Sequence, residues 1–380
     1  MAARRLRVER TLGPEVVRWI ERELVHGPGD VEGQPIELDD EQARFVLRAY
    51  EVDDRGRRVV RRAVLSRPKG RAKSEIAAML ACVEALGPAR FAGWAADGRP
   101  EGRPEGRPVR SPLVRIAATE EGQAGDTYQA AAFMLAHGAI SRTPGLDVGL
   151  TRTFLPGGGR VQPVTASAAS KEGGLETFAI FDETHLYVGP ELHRLHETIR
   201  RNLAKRRQAE AWSLETSTMY GVGEDSVAEG SHKYANAVRE GRLSDPGLLF
   251  DHREAPAGFD FSDDDELRAA LAYVYGDASV WIDLERLVAE TRDPQTDEAQ
   301  FRRFFLNQPT ARSDSFLPAA AWERCADPAR IVADGAEVVL GFDGSVGGPH
   351  GLDSTALVAV AVGETPHVFP WWTSGSGRPV

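Results

Sequence analysis

The stretch that most constrains this chain runs from Arg67 to Ser74, with the sequence Arg-Pro-Lys-Gly-Arg-Ala-Lys-Ser. Residues 63–65 before it are apolar, and residues 75–86 after it carry apolar side chains at helical spacing. Backbone N–H groups at a helix N-terminus point at an anion, and the helix dipole favours negative charge there. A buried strand, a tight turn and a helix in this order therefore predict an α/β domain that binds phosphate at the turn.

Within this turn, Lys73 is expected to reach the β- and γ-phosphates of ATP, and the Ser74 hydroxyl to hold Mg²⁺. The standard phosphate-binding pattern has one glycine six residues before the lysine and another directly before it. Arg67 and Ala72 occupy these two places, with Gly70 between them. Taken alone, the stretch is equally compatible with an arginine-rich surface turn that caps a helix.

A second signal is the segment from Thr177 to His185, with the sequence Thr-Phe-Ala-Ile-Phe-Asp-Glu-Thr-His. Its apolar residues predict a strand buried on both faces, and ligands bind at the carboxyl ends of parallel strands. Asp182 is expected to help hold the Mg²⁺ shell, and Glu183 to orient and deprotonate the attacking water. The alternative, a strand that simply ends in a polar turn, is disfavoured by the phosphate-binding stretch upstream.

Two weaker signals complete the predicted nucleotide site. Gln42 lies in a predicted helix upstream of the turn, where many helicase-like ATPases use a glutamine to recognise the adenine edge. An exposed helical glutamine is the commoner explanation. Ser217 and Thr218 end a predicted strand that begins near residue 211, and their hydroxyls are well placed to sense a γ-phosphate.

Composition narrows the class of protein. The net charge of −11 argues against a chain coated in positive charge for non-specific nucleic-acid binding. Two local basic clusters are candidates for phosphate contacts, with solvated surfaces as the alternative. The first comprises Arg55, Arg57, Arg58, Arg61, Arg62, Arg67, Lys69, Arg71 and Lys73, and the second Arg200, Arg201, Lys205, Arg206 and Arg207.

Location is predicted from what the sequence lacks. No apolar run reaches the roughly 18 residues that a membrane span needs, and no apolar segment of a secretory signal follows Met1. The two cysteines, Cys82 and Cys325, lie far apart, which fits a reducing cytoplasm.

Composition also marks a loop and a boundary. Residues 97–110, with a repeated Gly-Arg-Pro unit, predict an exposed loop, and the Asp-, Gly- and Pro-rich residues 251–265 mark a boundary before a small helical subdomain. An antiparallel hairpin is then predicted, with Asp343 and Asp353 near each other at its open or bulged end. Two such acids suit a Mg²⁺ or Mn²⁺ site for phosphodiester hydrolysis, whereas ordinary turn and capping residues are equally compatible with the spacing.

In this order, the motifs resemble those of the large terminase subunits of tailed double-stranded-DNA phages, which are ATPase–nuclease motors that package the genome. The resemblance covers nearly the whole chain from about residue 35. The family's phosphate loop begins with arginine, which matches Arg67, whereas Ala72 departs from glycine. The motifs are Ser66-Arg-Pro-Lys-Gly-Arg-Ala-Lys-Ser-Glu, Ala117-Ala-Thr-Glu-Glu-Gly-Gln, Phe178-Ala-Ile-Phe-Asp-Glu-Thr-His, Phe305-Leu-Asn-Gln and Gly341-Phe-Asp-Gly-Ser with Asp353-Ser-Thr-Ala.

The resemblance implies that Lys73 and Ser74 bind phosphate and Mg²⁺, that Asp182 and Glu183 form the acidic pair, and that residues 217–218 couple hydrolysis to domain movement. It also matches Asp343 to the first metal ligand of an RNase H-like nuclease, and Asp353 to a nearby acidic position. The implied partners are double-stranded DNA, the portal protein and the small terminase subunit. The implied assembly is a homo-oligomeric ring on the portal in the host cytoplasm.

The expected organisation has four parts. They are an N-terminal helical segment (1–34), a P-loop ATPase domain with a mostly parallel sheet (35–250), a helical linker subdomain (251–332), and the first hairpin of an RNase H-like nuclease (333–380). The family needs further acids on later strands, and the chain ends at Val380. We therefore expect ATPase activity without nuclease activity from this chain.

Two other functions stay open at this point. A helicase-like or repair ATPase shares the fold, although the acidic hairpin disfavours it. A non-catalytic nucleotide- or DNA-binding assembly module is supported by the degenerate phosphate loop. The sequence also leaves the arginine finger open among Arg67, Arg71, Arg142 and residues 200–207.

Overall fold

A computed structural model describes residues 10–96, 102–117, 119, 121–164, 174–310, 327, 332–343, 356–362 and 367–373. The chain separates into two compact units, residues 1–315 and 316–380. The first unit contains the predicted phosphate loop and the acidic pair, and the second contains Asp343. Within the described ranges, no helix combines the length and apolar character that crossing a membrane requires.

An eight-stranded sheet forms the centre of the first unit. The strands of this unit are β1 (Arg62–Ser66), β2 (Arg90–Ala95), β3 (Arg103–Arg107), β4 (Leu113–Ala117), β5 (Asp147–Val148), β6 (Thr153–Phe154), β7 (Arg160–Val164), β8 (Phe178–Phe181), β9 (Trp212–Ser217) and β10 (Leu248–His252). The sheet order is β10-β1-β9-β8-β4-β7-β6-β5. All pairs from β10 to β7 are parallel, and β6 and β5 add an antiparallel edge. The predicted α/β class with a mostly parallel sheet is confirmed.

Helices cover both faces of this sheet. They are α1 (Gly13–Glu23), α2 (Asp40–Ala49), α3 (Lys73–Leu86), α4 (Glu121–His137), α5 (Pro190–Lys205), α6 (Val227–Arg239), α7 (Asp264–Tyr275), α8 (Leu284–Glu290) and α9 (Glu298–Phe305). Alternate residues of β8 face opposite ways, because side chains alternate along a strand. Phe178 and Ile180 join the core that α3 and α4 line, whereas Phe181 packs with Leu195 and Ile199 of α5.

Helix α3, which begins at the phosphate loop, is the most deeply buried helix of the fold. Residues 76–83 are each at most 6% exposed. A helix that is apolar on all sides needs packing partners all round, and α3 finds them in α1, α4 and the sheet. Its first turn is therefore held rigidly at the carboxyl end of β1.

Helices α7–α9 form a small helical subdomain with its own core, which includes Leu267, Leu271, Val274 and Phe301. Aspartates cap all three helices, because a carboxylate accepts from the free N–H groups of a first turn. Asp263 caps α7, Asp283 caps α8 and Asp297 caps α9.

Two features of the first unit differ from the sequence predictions. Residues 103–107, predicted as part of an exposed loop, form β3 and pair antiparallel with β2. Alternation accounts for this strand, since Pro104 is buried while Arg103 and Arg107 are exposed. Strand β10 was not predicted, and it crosses the boundary placed at residue 250 to pair with β1.

The second unit contains a three-stranded antiparallel sheet of β11 (Val338–Asp343), β12 (Ala356–Ala361) and β13 (His367–Thr373). Strands β11 and β12 pair antiparallel, as the predicted hairpin requires. The expectation of a hairpin alone was wrong, because β13 adds a third strand beside β12. Asp353 lies outside the described residues. The backbone of Asp343 pairs with Ala356 at the end of β11.

Candidate nucleotide site

The loop between β1 and α3 passes through two left-handed residues, Gly70 at φ 85° and Ala72 at φ 54°. Ala72 is the N-cap of α3, and no side chain caps the helix there. The N–H groups of the first turn, which begins at Lys73 and Ser74, are thus left for another acceptor, and an anion suits them. Ala72 therefore departs from the standard pattern in residue type, while its backbone has the conformation that glycine favours.

Asp182 lies beside this first turn, at the carboxyl end of β8. It is 5% exposed, and its Oδ1 accepts a hydrogen bond from the Ser74 hydroxyl at 3.3 Å. Thr127 of α4 and Thr216 of β9 also donate to its two oxygens. Burial and the neighbouring Glu183 charge raise the pKa of Asp182, and the three hydroxyl donors oppose this rise. The structure thus brings the predicted Ser74 and Asp182 into direct contact.

Lys73 and Glu183 form the second pair of the site. The Lys73 ammonium lies 3.6 Å from Glu183 Oε1 and donates to the Pro68 carbonyl at 3.3 Å. Burial favours a higher pKa for Glu183, but the Lys73 charge and the His185 hydrogen bond outweigh it and lower the pKa to about 2. Burial lowers the pKa of Lys73, and the carboxylates of Glu183 and Asp182 oppose this. Glu183 is therefore an ionised carboxylate at neutral pH.

Sequence reasoning assigned no role to His185, which the structure places between the acidic pair and the end of β9. Its Nδ1 lies 3.1 Å from Glu183 Oε2, and both ring nitrogens lie 3.3 Å from Thr218 Oγ1. Ser217 Oγ is 3.4 Å from Nδ1. The two predicted sensor hydroxyls thus reach Glu183 through one imidazole. The sequence signal that could have identified His185 is its position directly after Asp-Glu-Thr.

Arg67 and Arg71 pair with carboxylates of the chain and hold the loop in place. Arg67 pairs with Asp251 of β10 at 2.6 Å and donates to the carbonyls of Ser66 and Asp251. Arg71 is buried and pairs with Asp39 and Glu41 around the start of α2. Both guanidinium groups are therefore occupied within the chain.

Gln42 lies in the first turn of α2, next to the carboxylates that bind Arg71. Its side-chain oxygen accepts from the Asp39 backbone N–H at 3.1 Å, while Asp39 accepts from the Gln42 backbone N–H at 2.7 Å. The structure therefore shows a capping role for Gln42. The adenine contact stays a prediction.

The helical subdomain holds the tip of the phosphate loop. Tyr275 Oη donates to the Lys69 carbonyl at 2.7 Å, and Trp281 Nε1 donates to the Gly70 carbonyl at 3.3 Å. The Lys69 N–H in turn donates to the Phe304 carbonyl at 2.8 Å. Gly70 has a φ of 85°, a conformation that favours glycine, and a Cβ there would also meet Ile282 Cδ1 at 2.9 Å.

Arg142 and Asp343 were also predicted as functional residues. Arg142 is exposed in a short 3₁₀ turn after α4. Asp343 belongs to the second unit, and its nuclease role stays a prediction. Among the residues that the structure describes, no group of three or more His, Cys, Asp or Glu side chains is arranged to hold a metal ion.

Comparisons with known proteins show which proteins resemble this chain. No protein-family model matches the chain. The Gene 13 protein of Mycobacterium phage L5 is 31% identical over 410 aligned positions, which cover 94% of this chain and 66% of the relative. The Gene 13 protein of Mycobacterium phage D29 is 31% identical over 360 positions, covering 86% and 58%. The chain thus spans less than two thirds of the length of these relatives.

The structural comparison extends the match to a solved structure. The large terminase of bacteriophage HK97 superposes with a TM-score of 0.59 at 21% identity, covering 95% of this chain and 67% of that one. This superposition shows a shared fold. The fold that the motif resemblance implies is therefore confirmed, and the chain, a sequence relative of mycobacteriophage Gene 13 proteins, has the fold of the phage large terminases.

Proposed function

We propose that this chain is the ATP-hydrolysing part of a motor that moves double-stranded phage DNA into a procapsid. The observation that carries the proposal is the cluster of Lys73, Ser74, Asp182 and Glu183 at the carboxyl ends of β1 and β8. The shared fold with a phage large terminase and the sequence relation to phage proteins support the same function.

The donors around Asp182 fit a magnesium nucleotide. Hydroxyl and carboxylate oxygens are the ligands that Mg²⁺ prefers, and Ser74 and Asp182 supply one of each in direct contact. When bound, the ion would neutralise charge on the phosphate oxygens. Thr127 and Thr216 hold the Asp182 carboxylate in one orientation from two sides. Asp182 is therefore positioned before any ligand arrives.

The remaining residues act on the phosphates and the water. Lys73 and the uncapped N–H groups of α3 would hold the phosphate oxygens in place, since phosphoryl transfer depends mainly on positioning and charge stabilisation. The Lys73 charge lowers the pKa of Glu183, so Glu183 is ionised, and its carboxylate would orient the attacking water and accept its proton. His185 fixes the Glu183 side chain from the opposite side to Lys73.

The wider assembly belongs to the same proposal. The partners would be the portal protein and the small terminase subunit, with copies of this chain forming a ring on the portal in the host cytoplasm. Asp343 and Asp353 would contribute to a Mg²⁺- or Mn²⁺-dependent endonuclease site. A plasmid-cleavage assay with Mn²⁺ on the wild type and Asp343→Ala tests this role. Cutting that Asp343→Ala abolishes would support it, and cutting that Asp343→Ala leaves unchanged would contradict it.

The ATPase assignment is tested with Glu183→Gln, which keeps the shape of the side chain and removes its charge. We expect ATP turnover to fall by about 10²- to 10⁴-fold while ATP binding persists, because the general base is lost and the phosphate contacts remain. Steady-state phosphate release and equilibrium ATP binding measure the two effects. The matched control is Glu191→Gln at the exposed start of α5. Equal turnover in both variants would refute the role of Glu183.

A further inference from the structure

The two basic clusters that are separate in sequence meet on one surface of the fold. Two cavities of about 500 and 610 Å³ are lined there, and both include Arg206 and Arg207. We call this surface the basic groove. Its cationic residues are Arg90, Arg107, Arg110, Lys205, Arg206 and Arg207 in the first cavity, with Arg57, Arg58 and Arg61 added by the second.

The basic groove lies at the opposite end of the sheet from the nucleotide site. Arg61 directly precedes β1, and residues 207–211 directly precede β9. These strands are parallel, and the phosphate loop follows the other end of β1. Five residues at roughly 3.3 Å each separate the two ends by about 16 Å. Substitutions in the groove therefore leave the phosphate-binding residues untouched.

A buried polar network anchors the floor of the groove. Glu84 is fully buried, and its carboxylate faces both Arg58 at 3.3 Å and Arg90 at 2.8 Å. The Arg58 guanidinium also lies 4.5 Å from the ring centre of Tyr50 and 4.4 Å from that of Trp212. One buried carboxylate thus stands against two buried guanidinium groups.

Two further carboxylates line the second cavity: Asp53 pairs with Arg57 at 3.0 Å, and the charge of Glu210 acts on Arg58 and Arg90. The cationic residues of the groove still outnumber these carboxylates.

Most cations at the rim are not neutralised by carboxylates. Arg61, Arg110 and Arg207 are exposed, and within the described part of the chain none of them forms an ion pair. Among the described residues, the partners of Lys205 and Arg206 are neutral oxygens, those of Asn202 and Leu175. In a chain of net charge −11, such a concentration of free positive charge indicates an anionic partner.

The lining also indicates which nucleic acid fits. The described residues that line the two cavities include no aromatic side chain. Single strands are bound largely by stacking of their bases on aromatic platforms, whereas a duplex hides its bases and presents phosphates. On the basis of the proposed motor function, we infer that the basic groove binds the phosphate backbone of duplex DNA.

The test is the double variant Arg110→Ala/Arg207→Ala in the full chain, with a fluorescent 30-base-pair duplex of arbitrary sequence and anisotropy readings at several salt concentrations. We expect at least a tenfold loss of affinity at low salt. The slope of log K against log salt should fall by about 1.8, since each phosphate contact contributes about 0.9. The double variant Arg110→Lys/Arg207→Lys should keep most of the affinity, because the charge is retained.

The matched control removes the same charge elsewhere, with Arg194→Ala/Arg239→Ala at exposed sites on α5 and α6. Wild-type affinity in both alanine double variants would overturn the groove assignment, as would tighter binding of a single strand than of the duplex. Magnesium-ATP binding without DNA should stay at the wild-type level in the groove variant. The wild type distinguishes failure of the groove assignment from failure of the proposed function. A wild-type chain that neither hydrolyses ATP nor binds duplex refutes the motor function itself.

Discussion

Glu84 and Glu183 are two carboxylates at opposite ends of the same sheet, and each faces cations. Glu84 is completely buried, and Oε1 alone accepts from Tyr50, Arg90 and Trp212 at 2.9–3.0 Å. Glu183 keeps 27% of its side chain exposed, and its contacts are longer, with Lys73 at 3.6 Å. Glu84 is enclosed by groups of the chain, whereas Glu183 is partly open to solvent and retains room for a ligand.

This difference in exposure distinguishes a structural carboxylate, Glu84, from one that is available for catalysis, Glu183. A sealed carboxylate among guanidinium groups can only hold its neighbours in place, because no ligand reaches it. A partly exposed carboxylate on a left-handed residue, Glu183 at φ 54°, is held in a backbone conformation that non-glycine residues rarely adopt. Such positions persist where the surrounding structure supports them, and they cluster at functional sites. The two ends of the sheet should therefore respond differently to loss of charge.

The largest effect on stability is expected from Glu84→Gln. Removing this charge takes away the buried carboxylate that Arg58 and Arg90 share, and breaking a buried pair costs about 3–5 kcal/mol. Urea unfolding of the full chain measures the loss. Glu37→Gln, at an exposed position, is the control and should change stability by less than about 0.5 kcal/mol. Equal stability of the two variants would show that Glu84 does not anchor the groove.

A smaller effect, on catalysis alone, is expected from His185→Ala. Loss of the imidazole frees the Glu183 carboxylate and raises the pKa of Glu183, because the His185 hydrogen bond is one of the contacts that lower it. We expect kcat to fall about 10- to 100-fold through misplacement of the base, with little change in KM. Steady-state kinetics in ATP measures both constants.

The conservative replacement makes the His185 prediction specific. His185→Gln keeps a donor near Glu183 and Thr218 and should recover part of kcat, which a purely structural role would not require. A rise in KM with unchanged kcat would instead assign His185 to substrate binding.

The smallest effect is expected from Ala72→Gly. A left-handed conformation costs an L-residue about 1–2 kcal/mol, and the greater freedom of glycine in the unfolded chain offsets about half of the relief. We expect a net gain of about 0.5–1 kcal/mol in unfolding free energy. Ala136→Gly, in the exposed part of α4, should do the opposite and cost about 1 kcal/mol. If Ala72→Gly and Ala136→Gly lowered the unfolding free energy by the same amount, Ala72 would not be strained.

The elements around the nucleotide site were predictable because their signals are local. The apolar periodicity of α3, the buried run of β8 and the acids directly after it are each contained in about ten residues. Contacts between distant segments were not accessible in this way. The pairing of β10 with β1 joins residues far apart in the chain, and so does the Glu84 network with Arg58 and Trp212.

The basic clusters illustrate the same limit. Each is visible in the sequence, but the crossover connections of the parallel sheet bring Arg57 and Arg61 beside Arg206 and Arg207. Composition also misled at residues 103–107, where a Gly-Arg-Pro repeat suggested a loop. Pairing with β2 overrode that preference and made a strand.

Binding of magnesium ATP to three forms of the chain tests most directly the separation of nucleotide site and groove. Isothermal titration calorimetry would compare the wild type, Lys73→Ala and Arg110→Ala/Arg207→Ala. Lys73 is buried beside Glu183, so its loss should abolish ATP binding, whereas the groove variant should bind with wild-type affinity. Unchanged binding by Lys73→Ala, or loss of binding by the groove variant, would contradict the account.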